Sequence, residues 1–367
     1  MKPKIIAFYL PQYHPFKEND EWWGKGFTEW TNVAKAKKLF PGHYQPKIPA
    51  DLGFYDLRLP QVREQQAELA REYGIYGFCY WHYWFGNGKR LMESIFDDVL
   101  ASKKPDMPFC LAWANHSWYA KLWNTDCENA DKLLIEQQYP GEKDIQMHFE
   151  YLIKAFKDKR YIRVKGAPLF VIFDPDSIPA GYLDRLQKLA KANGLKNGIY
   201  FVANITKRIQ TKESMLRKGF SAVTYQRLTS KTMVNMSGRL RNWLNKRIFR
   251  MLGLPTMTHY NRAIKYLIYP EIDSQENVIP AIIPNWDHTP RSGKNGSVFI
   301  GATPERFYKL VKRALDTIKN KKEDNQIIFL KSWNEWGEGN YVEPDLKYGT
   351  GYLKAIKDAL NDNLTQA

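Results

Sequence analysis

The run Ser332-Trp333-Asn334-Glu335-Trp336-Gly337-Glu338-Gly339 places two carboxylates three residues apart among tryptophans. In a helical turn that spacing puts both side chains on one face, and an irregular turn still keeps them close. Two neighbouring carboxyl groups beside aromatic rings are what glycosidic bond cleavage needs. One must hold a proton for the leaving oxygen, and the other must be ionised. Mutual repulsion and burial push the two pKa values apart, which sets up the two roles. By spacing alone an ordinary acidic turn, or a first-turn pair at a helix N-terminus, fits as well. The flanking tryptophans and the place in the chain favour chemistry.

Other groups offer less. His14, His43, His82 and His116 lie in the first third of the chain. No pair has a metal-ligand spacing, so they read as hydroxyl hydrogen-bonders or loop staples. Asp174-Pro175-Asp176 matches the D-x-D triplet of metal-dependent sugar-nucleotide transferases. A strand end followed by a proline turn explains that triplet without a ligand. There is no G-x-x-x-x-G-K-[ST] phosphate loop and no G-x-G-x-x-G fingerprint. No cofactor and no metal are expected.

Such residues need a scaffold. Short apolar runs at Lys4–Leu10, Gly77–Tyr83, Pro108–Ala114, Leu169–Phe173, Ile199–Ala203, Ala222–Tyr225, Pro280–Ile283 and Ile327–Lys331 read as strands. Helical periodicity marks Leu59–Tyr73, Gly88–Ser102, Asp144–Lys157, Ala180–Asn193 and Thr303–Lys319 between them. Strand alternating with helix argues parallel βαβ units, and eight strands close naturally as a (β/α)8 TIM barrel. Length alone suggests two domains, but this pattern predicts one barrel over 1–367 with long loops on its C-terminal face. Eleven of the twelve tryptophans, Trp123 included, fall at or beyond strand C-termini, the face where barrel enzymes carry their sites. The same reasoning puts Tyr9, Gln12, Tyr80, His82, Trp113, Asn115, Trp286 and Asp287 on the wall of one pocket with Glu335 and Glu338.

Composition narrows the class further. A 44% hydrophobic, 26% charged chain of 367 residues is neither disordered nor membrane-embedded. No apolar run is long enough to span a bilayer, and the N-terminus lacks signal-peptide features. Cys79, Cys110 and Cys127 read as buried thiols of a reducing compartment. Most of the +16 net charge is local: residues 214–270 hold eleven basic side chains and no acid. Aromatic and basic residues do not interleave on one element, so nucleic acid is not the expected partner.

Several motifs together carry a resemblance. They are Gly26-Phe27-Thr28-Glu29-Trp30-Thr31-Asn32-Val33, His43-Tyr44-Gln45-Pro46, Asp51-Leu52-Gly53-Phe54-Tyr55-Asp56, Trp113-Ala114-Asn115, Trp286-Asp287-His288-Thr289-Pro290-Arg291 and the Trp333–Gly339 run. Over nearly the whole chain they resemble the WbsX-like family, labelled glycosyltransferases of lipopolysaccharide or O-antigen clusters. That family is in turn similar to glycoside hydrolase family 99, the endo-α-1,2-mannosidases. The resemblance implies a (β/α)8 barrel acting with retention on an α-linked sugar of a polysaccharide. It implies that Glu335 is the base that takes the 2-hydroxyl proton, giving a 1,2-anhydro intermediate, and that Glu338 is the general acid. Its motifs add Glu29, Trp30, His43, Tyr44 and Asn334 as substrate-binding candidates. One departure changes a loop's charge. Members commonly read W-A-N-E-x-W-T-R after strand 3, where this chain has His116 and Ala120.

Two other readings stay open: a transferase using a nucleotide- or lipid-linked donor, and a non-catalytic glycan-binding component of an assembly complex. Within the basic segment, 238–253 reads as an amphipathic helix. Leu240, Trp243, Leu244, Ile248, Met251 and Leu252 share one face, with Arg239, Arg241, Lys246, Arg247 and Arg250 around them. That pattern suits either an anionic membrane surface or the sixth helix of the barrel. The expected location is cytoplasmic, peripheral at the inner membrane.

Overall fold

The computed structural model describes residues 3–120, 131–206, 210–225, 227 and 239–365. Trp123 and Cys127, named above, lie outside them, as does residue 238, where the amphipathic segment is expected to begin. The centre is a ring of parallel strands: β1 (Lys4–Tyr9), β2 (Gly77–His82), β3 (Phe109–Trp113), β4 (Ala167–Ile172), β5 (Tyr200–Ile205), β6 (Ala222–Tyr225), a divided β7, and β8 (Ile327–Leu330). The halves of β7 are Val278–Ile279, paired with β6, and Ala281–Ile282, paired with β8. Pro280 lies between them. It has no N–H to give a ladder, but its carbonyl accepts from Phe329 at 2.9 Å. The ring therefore closes through β7, and β1 pairs with β8 at Lys4↔Ile327.

Both faces of these strands are covered, so they are apolar throughout. The outward set meets the helices. The Tyr9 hydroxyl donates to Gln66 on helix Pro60–Glu72 at 2.6 Å. Tyr80 packs on Phe96 of helix Glu93–Ser102, and His82 stacks on His148 of helix Glu142–Phe156. The inward set fills the barrel: Phe8 stacks on Trp81 at 4.9 Å and meets Phe329. Cys79 and Cys110 face each other across β2 and β3, buried and free.

The sixth unit departs from expectation. Its barrel-covering helix is Tyr260–Leu267, which buries Tyr260, Ala263, Ile264 and Leu267. Helix Arg239–Met251 lies outside it, joined to the strand Thr256–His259. Helix Pro304–Ile318 starts where its cap signal sits, with Thr303 Oγ1 accepting from Arg306 N–H at 3.4 Å. The long first loop contains two short helices, Lys17–Trp23 and Glu29–Lys35.

Candidate active site

Asn334 anchors the turn that follows β8. Its amide clamps the end of β1 from both sides: Leu10 N–H donates to Oδ1 at 2.8 Å, and Nδ2 donates to the Leu10 carbonyl at 3.0 Å. The Tyr13 hydroxyl donates to the Asn334 carbonyl at 2.6 Å and accepts from Trp336 N–H at 3.1 Å. Trp336 Nε1 donates to Glu343 at 2.6 Å, and Tyr55 and Gln66 donate to the same carboxylate. Burial pushes Glu343 up to about 7.

The turn's glycines follow from what packs behind them. A Cβ on Gly337 would lie 2.5 Å from a Glu29 carboxylate oxygen, and one on Gly339 would lie 2.4 Å from Lys47 Nζ. Gly339 also has a φ of +57°, a region glycine enters without strain. Gly337→Ala is therefore expected to lose about 1–3 kcal/mol by overpacking, read as a lower urea midpoint. A midpoint equal to wild type would show that Glu29 is not held against this turn.

Arg291 gathers the carboxylates. It stands on the short helix Thr289–Ser292 beyond β7. Its Nη1 donates to Glu338 at 2.9 Å and its Nη2 to Glu335 at 3.0 Å. Nε and Nη2 also bond Glu29, with Nε at 2.8 Å. Asn32 donates to the other Glu29 oxygen at 2.7 Å. Burial opposes the charge on Arg291, but the three carboxylates hold its proton firmly. The catalytic candidates then part company. Burial first, and the Glu338 charge second, raise Glu335 to about 7. Burial pushes Glu338 up too, yet Arg291, Lys331 and His288 outweigh it and hold that carboxyl below the usual range. The pair thus holds one proton, on Glu335, as pH falls below about 7.

Both glutamates open into a cavity of about 250 Å³. Leu10, Trp81, Tyr83, Ala114, His116, Trp118 and Phe173 form its wall, with His288, Arg291 and Lys331 beside the carboxylates. Burial lowers His116 to about 4, so this part of the wall is a neutral imidazole. Lys331 Nζ lies 5.6 Å from the Trp286 ring centre.

The wall expected from strand ends needs correction. Tyr9, Tyr80, His82 and Trp113 point outward into the helix layer; the inward neighbours Leu10, Trp81, Tyr83 and Ala114 take their places. Successive strand residues alternate faces, so a one-residue error in parity moves every side chain to the wrong side. Gln12 is buried away from this cavity, and Asn334 is spent on β1. Asn115 pins the loop after β4, donating to the Asp174 carbonyl at 2.8 Å and accepting from its N–H at 2.9 Å. Trp30 donates to the Tyr55 carbonyl at 2.8 Å, and Trp286 to Ser297 at 3.0 Å. Glu29 acts on the site through Arg291 rather than from its wall.

His43, Tyr44 and Asp287 line a separate cavity of about 330 Å³. His43 Nδ1 accepts from Leu39 N–H at 3.1 Å, which leaves Nε2–H to donate to Asp287 at 2.9 Å. Gln45 and Thr289 also donate to Asp287, at 2.7 and 2.6 Å. Burial opposes its charge, but His43 and Lys47 lead the groups that bring it to about 2. Asp287 N–H in turn donates to the Glu338 carbonyl at 2.7 Å. These residues brace the turn that carries Arg291. Arg291, Lys331 and His288 were missed as site residues, although Arg291 stands in a motif at the end of a barrel unit. Asp176 is engaged by Lys218 at 2.9 Å and Gln210 at 2.7 Å. Among the described residues no cluster of three or more His, Cys, Asp or Glu is arranged to hold a metal ion.

Comparison with known proteins agrees with this architecture. The family model "Glycosyltransferase WbsX" matches residues 5–356. The uncharacterised protein WxcX of Xanthomonas campestris pv. campestris strain B100 is 33% identical over 362 residues, covering 97% of this chain and 49% of WxcX. The chain thus spans about half the length of the curated relatives it matches. A solved structure titled a glycoside hydrolase-like protein superposes with a TM-score of 0.60 at 16% identity, covering 98% of this chain and 94% of its own. The GH99 endo-α-mannosidase of Bacteroides thetaiotaomicron gives 0.59 at 14% identity, covering 98% and 97%. At such identities the likeness concerns the fold.

Proposed function

The chain belongs to the WbsX glycosyltransferase family, and from that premise we propose that it breaks an α-linked glycosidic bond of a polysaccharide with retention, using Glu335 and Glu338. The observation that carries the reading is the single guanidinium that holds both carboxylates at the mouth of an aromatic-walled cavity. A flat, partly exposed ring such as Trp81 suits the apolar face of a sugar. With Glu335 raised to about 7 and Glu338 held below the usual range, one carboxyl is protonated and the other ionised below about pH 7, as acid–base cleavage requires.

The likeness to family 99 supports Glu335 as the base for the sugar 2-hydroxyl and Glu338 as the acid. Burial and the Glu338 charge favour the proton on Glu335, so substrate binding must pass it to Glu338 if that order holds. Arg291 touches both groups and could stabilise either arrangement. A fluoride leaving group needs no protonation, so the variant whose activity a glycosyl fluoride restores is the one that lacks the acid. Glu338→Gln is the variant expected to be rescued. Rescue of Glu335→Gln instead would reverse the roles.

Either order needs one proton on the pair. The kcat/KM of wild type is therefore expected to fall as pH rises through about 7, where the last proton leaves. A profile that stays flat to pH 9 would sink the shared-proton reading. Water or a sugar hydroxyl can attack the same intermediate, so hydrolysis and transfer are separated by a substrate panel read by mass spectrometry. A metal-dependent activated donor finds no support in Asp176, which is already engaged. No helix among the described residues is long and apolar enough to cross a membrane.

A further inference from the structure

Helix Arg239–Met251 keeps its apolar side uncovered. Leu240, Trp243, Leu244, Ile248 and Met251, with Leu252 just beyond, are all exposed, Leu240 at 71% and Met251 at 79%. At 100° per residue they share one face, while the half-buried Asn245 and Phe249 fall on the opposite side. Barrel covering does not explain this face, because Tyr260–Leu267 already fills that role. Exposed Lys246 and Arg250 border it, and exposed Arg247 lies within it, its guanidinium 5.4 Å from the Trp243 ring centre. No acid occurs anywhere between Ser214 and Pro270.

The helix is also coupled to the active-site side of the barrel. It leads into the strand Thr256–His259, which pairs with Ser297–Ile300 at Thr256↔Ser297. That second strand is tied to the loop after β7: Phe299 N–H donates to the Trp286 carbonyl at 2.8 Å, and Val298 bridges Asp287. The chain is therefore continuous from the helix to the residues that brace Arg291.

We propose that helix 239–251 docks on an anionic lipid surface, with its apolar face in the headgroup boundary and Lys246, Arg247 and Arg250 on lipid phosphates. Charge complementarity singles out this occupant. An apolar protein groove would satisfy the leucines but leave the cations unanswered, and a second copy of the same helix would bring like charges together. A basic helix with tryptophan and leucine on its other face is the type that lies in the membrane plane. The proposal is independent of the glycosidic chemistry and stands if that reading fails.

The test is co-sedimentation of the full chain with phosphatidylglycerol-containing vesicles and with phosphatidylcholine vesicles. Binding is expected to the anionic vesicles only, weakening as salt rises. Lys246→Gln, Arg247→Gln and Arg250→Gln combined should lower the partition coefficient on the order of 100-fold. Leu240→Asp with Met251→Asp should also abolish pelleting. Thermal melts of both variants should match wild type, since neither set packs on the barrel. Wild-type protein remaining in the supernatant with anionic vesicles at low salt overturns the proposal. Equal binding to neutral vesicles overturns it, as does a charge variant that pellets like wild type. So does a dimer in sedimentation velocity that the aspartate pair abolishes, in a protein that ignores vesicles.

Discussion

Glu335→Gln and Glu338→Gln are each expected to reduce turnover by on the order of 10²–10⁴-fold, the range for loss of a positioned proton-transfer group. Both amides keep the shape of the carboxyl and can still meet a nitrogen of Arg291 through their oxygen. Glycan affinity and the melting temperature should therefore change little. The measurement is initial rate on a glycan the wild type turns over, with affinity taken separately by calorimetry. Full activity in either variant removes the two-carboxylate mechanism. A loss of affinity that matches the loss of rate would instead make the glutamates binding groups.

Arg291→Met is expected to have the largest effect on stability. The fully buried Glu29 takes charge-assisted hydrogen bonds from the guanidinium, and without them a carboxylate remains in a dry site. Breaking a buried pair from one side costs about 3–5 kcal/mol. Arg291→Lys should recover only part of this, since an ammonium cannot reproduce a fork that meets three carboxylates. Adding Glu29→Gln to Arg291→Met removes the orphaned charge and should restore much of the loss, a coupling that a double-mutant cycle reads directly. Urea unfolding of the four proteins decides it. Additive losses would show that Glu29 and Arg291 act independently.

The barrel was legible because alternating apolar runs and helical periods survive in the local sequence, from Lys4–Tyr9 to Ile327–Leu330. The helical period at Thr303–Lys319 marked a real helix, Pro304–Ile318, for the same reason. The pocket wall was not legible. Strands covered on both sides show no polar alternation, so nothing in Gly77–His82 says whether Tyr80 or Trp81 faces inward. Contacts with the outer helix layer settle it, with Tyr9 drawn out to Gln66 and Tyr80 packed on Phe96. Arg291 was hidden differently. Its partners lie 44, 47 and 262 residues away, and only the closed ring brings them together. The amphipathic helix at 239–251 could be read from its pattern, whereas its bare face could not, because Tyr260–Leu267 had not been recognised as the barrel's own cover.

The position of Arg291 between Glu29, Glu335 and Glu338 divides labour around the ring. On the proposed function, proton transfer falls to the arc formed by the loops after β7, β8 and β1, locked by Asn334 on Leu10 and by Asp287 on the Glu338 carbonyl. The rest of the cavity wall comes largely from the arc formed by β2, β3 and β4, through Trp81, Tyr83, His116, Trp118 and Phe173. Mutations can therefore accumulate on the second arc without disturbing the first. If the proposed chemistry holds, grafting the 114–120 loop from a relative becomes a route to exchanging substrate preference while the chemical step is kept.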